Sequence, residues 1–403
     1  MVLKSGPTRM ALTITNTSGF PVFHTLPSLF PNVSPLVCSI LFYNRCQPPL
    51  LHHDSPTDHD TSVLIDHRLA SVALQYFEEH GVRPSASNIR RLREAAFRDA
   101  SVTARVVAHL PMAQSALQAA NVSSIIIKGP SIAYANRKAA RPYRDIDLLV
   151  RPEAFDTALH ALQTAGYHSR PTDITPTPWF SRRCREAVNL QHPAGGRIDL
   201  HHHIPPWLWT ARLTYDYLDS HAHLQTVGDC RMRASSLEVN LIISAFHIVT
   251  DHGAPGLSLM PWRDFVTLSH VVDPSAFSQL TRSLQLDTWF SWIAGQLPRS
   301  VISSNPLLQT YTLNRPPRST IRLNCIATAA SSPHSVLHEA ARLPLLNAVL
   351  CIAAYLYPSS AFIHARCGRG RLARLRWYQG GLVRVRAALQ SLKCNKHFFP
   401  TNI

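Results

Sequence analysis

The stretch that decides the fold is Arg141-Pro-Tyr-Arg-Asp-Ile-Asp-Leu-Leu-Val150. In it, Asp145 and Asp147 flank one isoleucine and run into three apolar residues that are typical of a strand. Because successive side chains of a strand point to opposite faces, the two aspartates project from the same face. Neighbouring carboxylates repel each other unless a cation lies between them, and oxygen ligands at this spacing suit Mg²⁺ or Mn²⁺. An Asp-x-Asp motif also occurs in solvated turns, so this motif alone indicates either a metal site or a turn.

A second strand is predicted upstream, over the β-branched run Ser123–Ile127. Lys128-Gly-Pro-Ser131 follows it, and residues 132–137 are predicted to form a short helix. A glycine-bearing turn between strand and helix points backbone N–H groups outward, and a helix N-terminus favours anions. Lys128 adds a positive charge there. The turn is therefore a candidate phosphate site, although it matches no Walker pattern.

A third carboxylate lies on a later predicted strand. Two runs, Ala187–Gln191 and Arg197–His201, are separated by turn residues and predict a hairpin. Asp199 lies in the second run, between two apolar residues. This spacing lets Asp199 converge with Asp145 and Asp147 on two metal ions.

The charge of the chain is strongly basic and unevenly distributed. Among 403 residues, 40 are Lys or Arg and 24 are Asp or Glu. No acidic residue precedes Asp54 and none follows Glu339, so both ends are cationic. This favours polyanionic partners such as nucleotides, nucleic acid or an anionic membrane surface. The codon usage of a GC-rich genome is the simpler explanation for the arginines, and we prefer it.

Cysteine usage and hydropathy predict a cytoplasmic location. The eight cysteines form no C-x-x-C pair, and no secretory signal is evident. The longest apolar run, Leu343–Tyr357, is shorter than the roughly 20 residues that a transmembrane helix needs. We therefore predict no transmembrane segment, and a buried or interfacial helix for this run.

Periodicity divides the chain into four parts. Residues 1–60 are rich in Pro, Ser and Thr, which predicts a disordered arm or a reading frame assigned from too early a start codon. Residues 61–122 are predicted to be helical, residues 123–233 to form an α/β core, and residues 234–403 to be helical with a basic tail. From Pro205 onward the pattern predicts mainly helices.

These motifs together resemble a known family, the uncharacterised bacterial nucleotidyltransferase-like proteins of the DNA polymerase β superfamily. The resemblance covers about residues 65–275. It rests on Ile127-Lys-Gly129, Arg141-Pro-x-x-Asp-Ile-Asp-Leu-Leu-Val150, Ala165-Gly-Tyr167, Ile198-Asp-Leu-His201, Phe246-His247 and Trp262-Arg-Asp264.

The resemblance implies an α+β fold, a small mixed sheet flanked by helices, and transfer of NMP from an NTP with Mg²⁺. Asp145 and Asp147 match the metal-binding pair, and Asp199 matches the third carboxylate, which would help to activate the attacking hydroxyl. Lys128, Gly129 and Ser131 occupy the place of the turn that holds the β- and γ-phosphates. Arg141 matches a family arginine that would meet phosphate, or would instead pair with a nearby carboxylate.

Two departures from the family pattern leave an alternative open. Gly129 and Asp145 are further apart than usual, and Arg144 replaces a small residue beside the aspartate pair. An arginine at this position would pair with Asp145 and weaken metal binding. The main hypothesis is therefore NMP transfer to an unidentified hydroxyl on a small molecule, peptide or RNA. The alternatives are a non-catalytic nucleotide- or RNA-binding accessory protein and a tRNA-modifying toxin, whose polyanion contact the basic tail would supply.

Other residue groups allow competing interpretations. His201 and His203 would share a strand face and, with His221 and His223 downstream, suggest a Zn²⁺ or Ni²⁺ site, but no Cys or spaced His motif completes a tetrahedron. His247 and Asp251 fall short of the H-E-x-x-H pattern. Tryptophans 179, 207 and 209 lie near arginines and could stack bases or pack within a loop.

Overall fold

A computed structural model describes most of the chain. The described residues are 33–43, 55–135, 141–169, 175–177, 179–204, 210–250, 258–311, 340, 343–370 and 372–381.

Within these residues, seven strands form one mixed sheet. They are β1 (Ser124–Ile127), β2 (Ile146–Val150), β3 (His168–Ser169), β4 (Ala187–Gln191), β5 (Arg197–His201), β6 (His223–Val227) and β7 (Cys230–Ala234). Their order is β3-β4-β5-β2-β1-β7-β6. The central strand β2 is antiparallel to β1 and parallel to β5. Strands β4 and β5 have the predicted bounds, and the predicted α+β class is confirmed.

Helices precede, interrupt and follow the sheet. The first are α1 (Pro35–Leu41), α2 (Asp58–Asp66), α3 (Ala70–His80), α4 (Ala86–Ala108), α5 (Leu110–Ala119), α6 (Gly129–Ala135), α7 (Phe155–Thr164), α8 (Phe180–Cys184) and α9 (Tyr215–Ser220). After the sheet come α10 (Leu237–Thr250), α11 (Met260–Ser269), α12 (Pro274–Ser283), α13 (Asp287–Ala294), α14 (Arg299–Ser303), α15 (Pro306–Tyr311), α16 (Leu345–Leu356) and α17 (Ser360–Cys367). A short 3₁₀ turn, Pro152–Ala154, leads into α7.

The two faces of the sheet pack against different helices. On one face, Ile126, Leu148 and Val150 join a core with side chains of α5 and α7. On the other face, Ile125, Ile127 and Leu149 join the larger core, which includes α2, α3 and α10 to α13. Because side chains alternate along β2, Asp147 shares its face with Leu149 and lies on the side of the larger core.

Two helices replace the single helix that the spacing of apolar residues predicts across residues 63–76. The chain leaves α2 at His67, and Arg68 has a left-handed backbone with a φ of 60°. An apolar period continues across this break, which is why periodicity alone does not reveal it.

The hairpin of β6 and β7 corrects the prediction that the chain is mainly helical from Pro205. Alternating exposed and buried residues mark both strands, and the side chains of Gln225, Val227, Cys230 and Met232 are buried. Gly228 in the turn has a φ of 57°, a conformation that glycine adopts without strain. The arginines of Cys230-Arg-Met-Arg-Ala234 belong to the solvent face of a strand, so the short run has low hydrophobicity.

The N-terminal helix α1 corrects the exclusion of residues 1–60 from the fold. Val37, Ile40 and Leu41 are buried in the larger core. Ser34 caps the helix, since its hydroxyl accepts a hydrogen bond from the Val37 amide. The rest of residues 1–54 lies outside the described residues.

The C-terminal helix α16 packs against α8. Phe180 and Cys184 of α8 form a small core with Cys351 and Ala354 of α16. No single helix in the described part of the chain is long and apolar enough to cross a membrane. Helices α16 and α17 reach the required length and hydropathy only as a pair, and the pair is bent by 66°.

Candidate active site

The register between β2 and β5 builds the candidate site. Asp147 lies directly opposite Asp199, and His201 follows on the same face of β5. Ligand atoms of these three residues all lie within 4.8 Å of one another. The structure thus brings together two of the three predicted carboxylates with His201, which the sequence marks both in the motif Ile198-Asp-Leu-His201 and in a histidine run.

Asp147 lies at the centre of this group and is buried. Its Oδ1 is 3.0 Å from His201 Nε2 and 3.4 Å from Lys128 Nζ. Burial acts to raise the pKa of Asp147, but the Lys128 charge, the His201 hydrogen bond and the His247 charge outweigh it. The pKa of Asp147 is therefore held well below its usual range, and the carboxylate is ionised.

Asp145 lies immediately before β2 and lines the same cavity, but it is outside the group of three. Burial and the negative charge of Asp147 raise the pKa of Asp145, while Lys128, Arg68 and Arg141 act in the opposite direction. The pKa shifts of the two carboxylates are opposite in sign. The positive charge around them therefore stabilises the ionised form of Asp147 but does not fully offset the repulsion between Asp147 and an ionised Asp145.

The turn after β1 places Lys128 and Gly129 at the cavity and Ser131 away from it. Lys128 has a left-handed backbone with a φ of 55°, and its amide donates to Asn240 Oδ1 at 2.9 Å. The Ser131 hydroxyl is buried, donates to the Ser235 carbonyl at 3.2 Å and accepts from Asn240 Nδ2 at 2.8 Å. Ser131 therefore holds α6 against α10, whereas Lys128 and Gly129 line the cavity.

Arg141 also lines the cavity, and its guanidinium is paired with Asp264 of α11. Its Nε and Nη2 contact the two carboxylate oxygens, each at 2.6 Å. Burial acts to lower the pKa of Arg141, but Asp264 outweighs it and raises the pKa. This is the carboxylate pairing that the sequence left open. Because a guanidinium has five N–H donors, the pairing does not use all of them.

Arg144 does not form the predicted pair with Asp145. Its Nη2 is 3.1 Å from Asp99 Oδ1 of α4 instead. Arg144 therefore does not neutralise Asp145 in the way that the sequence led us to expect.

The cavity has a volume of about 440 Å³, and residues of α10 and α11 form part of its lining. Arg68, Asn189, His247 and Asp264 line it in addition to the predicted residues. Burial and the nearby charges of Arg144 and Arg141 lower the pKa of Arg68. The Arg68 guanidinium is a further cation in the lining of the cavity. Sequence reasoning missed Arg68 because it lies in the break between α2 and α3. The sequence marks His247 in the Phe246-His247 motif of the resemblance and in an incomplete zinc motif, and neither assigns it to this cavity.

The residues present fit a divalent cation. Asp147 and Asp199 offer carboxylate oxygens of the kind that Mg²⁺ and Mn²⁺ prefer, and Asp145 lies at the same cavity. His201 Nδ1 is buried and has no hydrogen-bond partner among the described residues. The negative charge of this cluster suits a metal ion, and the surrounding arginines suit the phosphates of a polyphosphate bound to that ion.

The competing interpretations find less support in the geometry. Among the described residues, the one group with metal-ligand spacing is Asp147, Asp199 and His201. His203 packs against the ring of His202, and His221 stacks on Tyr217. Trp179 is exposed, whereas Trp207, Trp209 and Asp251 lie outside the described residues.

Comparison with known proteins gives a family match over residues 55–291, to a family described as uncharacterised nucleotidyltransferase. A search of curated proteins finds no significant match. One similar solved structure is the lincomycin-bound lincosamide antibiotic adenylyltransferase LnuA, which is 16% identical with a TM-score of 0.27. That match covers 39% of this chain and 91% of that one.

Another is an antigenic nucleotidyltransferase-like protein from Paracoccidioides brasiliensis, which is 15% identical with a TM-score of 0.30. It covers 51% of this chain and 97% of that one. The match over residues 55–291 spans the sheet, the cavity and the helices α10 and α11 that close over it.

Proposed function

The chain belongs to the uncharacterised nucleotidyltransferase family, and from this premise we propose that it moves NMP from an NTP to a hydroxyl acceptor with Mg²⁺ or Mn²⁺. The observation that carries the proposal is the pairing of Asp147 with Asp199 across adjacent strands that face a cavity. Asp147 is buried and Asp199 is half-buried, and neighbouring carboxylates repel each other unless a cation lies between them, so their position at a cavity favours a metal site.

In this proposal Asp147 and Asp199 hold the metal, with Asp145 at the edge of the same cavity. When bound, the cation neutralises phosphate charge and orients the phosphorus that is attacked. His201 contacts Asp147 Oδ1 and fixes the position of that carboxylate. We assign the removal of the acceptor's proton to Asp199, which lies opposite Asp147 in the register of β2 and β5.

Cations around the cavity would bind the triphosphate. Lys128 lies beside Asp147, and Arg68 and Arg144 line the same cavity. Arg141 is fixed by Asp264 and has N–H donors beyond those used in that pair. These cations offset the negative charge of an NTP. They also stabilise the negative charge that develops on pyrophosphate as it leaves.

Calorimetric titration of each of the four NTPs tests this proposal. We expect micromolar binding that requires Mg²⁺ or Mn²⁺ and is lost in Asp145→Asn/Asp147→Asn. The matched control, Glu153→Gln/Asp229→Asn, makes the same change of charge at two exposed positions and should bind like wild type.

Two results would contradict the proposal. One is binding that does not depend on the metal. The other is the absence of binding for all four NTPs by a wild-type protein that is folded by circular dichroism.

A further inference from the structure

Helix α16 presents an apolar stripe to solvent. Leu345, Val349, Ile352 and Leu356 are spaced by four, three and four residues, which places them on one face of the helix. Leu345 is 83% exposed, and the opposite face carries the buried Cys351 and Ala354 that pack on α8. The large aliphatic side chains of this helix therefore face solvent, whereas smaller residues pack against the rest of the protein.

The next helical segment, residues 373–381, extends this apolar surface. Leu372, Leu375 and Tyr378 are exposed. The Tyr378 hydroxyl donates to the Leu356 carbonyl at 2.9 Å, so the segment lies against the end of α16. We define the C-terminal apolar face as Leu345, Leu346, Val349, Ile352, Leu356, Tyr357, Leu372, Leu375 and Tyr378.

This clustering is unlike the rest of the described surface. Nine of the 13 large apolar residues that are exposed belong to the C-terminal apolar face. The other four, Phe97, Trp179, Leu224 and Val271, lie apart from this face in separate segments of the chain. Single exposed apolar residues are ordinary, but a contiguous set marks a surface that contacts a partner or a membrane.

The charge around this face selects the kind of partner. Residues 340–403 contain ten Lys or Arg and no Asp or Glu. Arg366, Arg369, Arg374 and Arg376 are exposed next to the apolar side chains. A symmetric contact between two copies would bring these like charges together, which opposes association. Nucleic acid would match the charge but not the exposed aliphatic side chains, since bases stack on aromatic rings.

The dimensions fit a helix that lies on a bilayer. Helix α16 has 12 residues, and at about 1.5 Å per residue it is about 18 Å long, against roughly 30 Å for the hydrocarbon core. Helix α17 turns away by 66° after Pro358. A short helix with aliphatic residues outward and arginines at its flank is suited to the interface of an anionic bilayer.

We propose that the C-terminal apolar face docks on an anionic phospholipid membrane. The aliphatic side chains enter the boundary between headgroups and acyl chains, and the arginines meet the lipid phosphates and carboxylates. The proposal is independent of nucleotide transfer, since it involves none of the residues that line the cavity.

Sedimentation of the full chain with phospholipid vesicles tests this. We expect binding to vesicles that contain phosphatidylserine, weak binding to phosphatidylcholine alone, and weaker binding at high salt. The variant Leu345→Ser/Val349→Ser/Leu356→Ser should bind more than about tenfold more weakly, because it removes three apolar side chains from the bilayer. Phe97→Ser/Leu224→Ser/Val271→Ser makes the same kind of change on other elements and should bind like wild type.

A second pair of variants isolates the charge. Arg374→Gln/Arg376→Gln should weaken binding about 30-fold, since each cation near an anionic surface contributes about a fivefold factor. Arg90→Gln/Arg93→Gln changes two exposed arginines of α4 and should leave binding unchanged. These surface changes preserve the packed residues, so unaltered urea denaturation confirms that each variant is folded.

Four outcomes would overturn the proposal. They are a wild-type protein that does not bind anionic vesicles, equal binding to neutral vesicles, and equal losses in the control variants. The fourth is a wild-type dimer in analytical ultracentrifugation that the Leu345→Ser/Val349→Ser/Leu356→Ser variant converts to monomer, which would assign the face to self-association.

Discussion

Arg141 and Asp264 are joined by two contacts of 2.6 Å, and this pair fastens the segment before β2 to α11 at the edge of the cavity. Arg263 precedes Asp264 on α11. Its Nη1 donates to the carbonyls of Ile40, Leu41 and Tyr43 at the end of α1. Two consecutive residues of α11 therefore hold the aspartate-bearing segment on one side and the N-terminal helix on the other.

Breaking this pair should destabilise the protein substantially. Arg141 and Asp264 have side chains that are only 12% and 7% exposed. Asp264→Asn leaves the guanidinium charge without its counter-ion, so we expect the free energy of unfolding to fall by about 3 kcal/mol or more. Urea denaturation monitored by fluorescence measures this change. Nucleotide affinity should fall as well, since Arg141 loses its fixed position.

The exposed pair of Arg182 and Asp156 provides the control for this prediction. Its side chains are 57% and 60% exposed, and their contact is 2.9 Å. Asp156→Asn should change the free energy of unfolding by less than about 1 kcal/mol. Equal effects of the two substitutions would show that the Arg141–Asp264 pair is not a buried interaction.

The sequence predicts the strands that carry the candidate site, because strand periodicity and turn chemistry are local. The alternation at Asp145-Ile-Asp147 and the hairpin around Asp199 specify which side chains share a face. The sequence does not predict the parallel pairing of β2 with β5 that brings Asp147 opposite Asp199, because no local pattern specifies which strands pair.

Contacts between distant segments were not predictable in this way. The partners of Arg141 and Arg144, Asp264 and Asp99, are 123 and 45 residues away. Helix α1 is short, and its apolar residues are followed by a proline-rich stretch that has the composition of a disordered arm. Only burial against α11 distinguishes it from such an arm, and burial is a property of the tertiary fold.

Asp145 should lower the stability of the metal-free protein at neutral pH. Burial and Asp147 raise its pKa above the usual 3.8, so the folded state binds this proton more tightly than the unfolded state does. The associated stability is present below the unfolded pKa and is lost as pH rises through the folded pKa. At about pH 7 the carboxylate is therefore a net cost, and Asp145→Asn should raise the urea midpoint in the presence of EDTA.

Mg²⁺ distinguishes this explanation from a simple packing effect. The cation should raise the urea midpoint of wild type more than that of Asp145→Asn, because it offsets carboxylate repulsion. Asp229→Asn, in the turn between β6 and β7, serves as the control and should match wild type. A lower midpoint for Asp145→Asn in EDTA would contradict the prediction.

His202 should make the protein sensitive to mild acid. Burial lowers its pKa from 6.5 to about 4, so the imidazole is neutral in the folded state. Because the folded pKa is depressed, stability is present above pH 6.5 and is lost as pH falls toward the folded pKa. The loss from His202 at about pH 5 is about 2 kcal/mol.

The measurement is the difference between urea midpoints at about pH 7.5 and about pH 5, the range over which the unfolded histidine gains its proton. His202→Gln should reduce this difference, whatever its effect at the higher pH. His160→Gln changes an exposed histidine of α7 and should retain the wild-type difference. An unchanged pH dependence in His202→Gln would refute the assignment.

Helix α1 should be required for full stability. Val37, Ile40 and Leu41 are buried, and Arg263 is buried with its guanidinium on the carbonyls at the end of the helix. Burial lowers the pKa of Arg263 to about 10, so removal of these carbonyls leaves a charge that is already poorly solvated. A chain that begins at residue 44 should therefore be less stable than one that begins at residue 33, by at least about 3 kcal/mol.

Urea denaturation of the two truncated chains measures the contribution of residues 33–43 directly, since everything else is shared. Arg263→Gln in the longer chain should reproduce part of the loss, because it removes the hydrogen bonds while it retains the apolar contacts of α1. If the two truncated chains unfold at the same urea concentration, α1 does not pack against α11 in solution. The connection that we infer, from α1 through Arg263 and Asp264 of α11 to Arg141, would then be wrong.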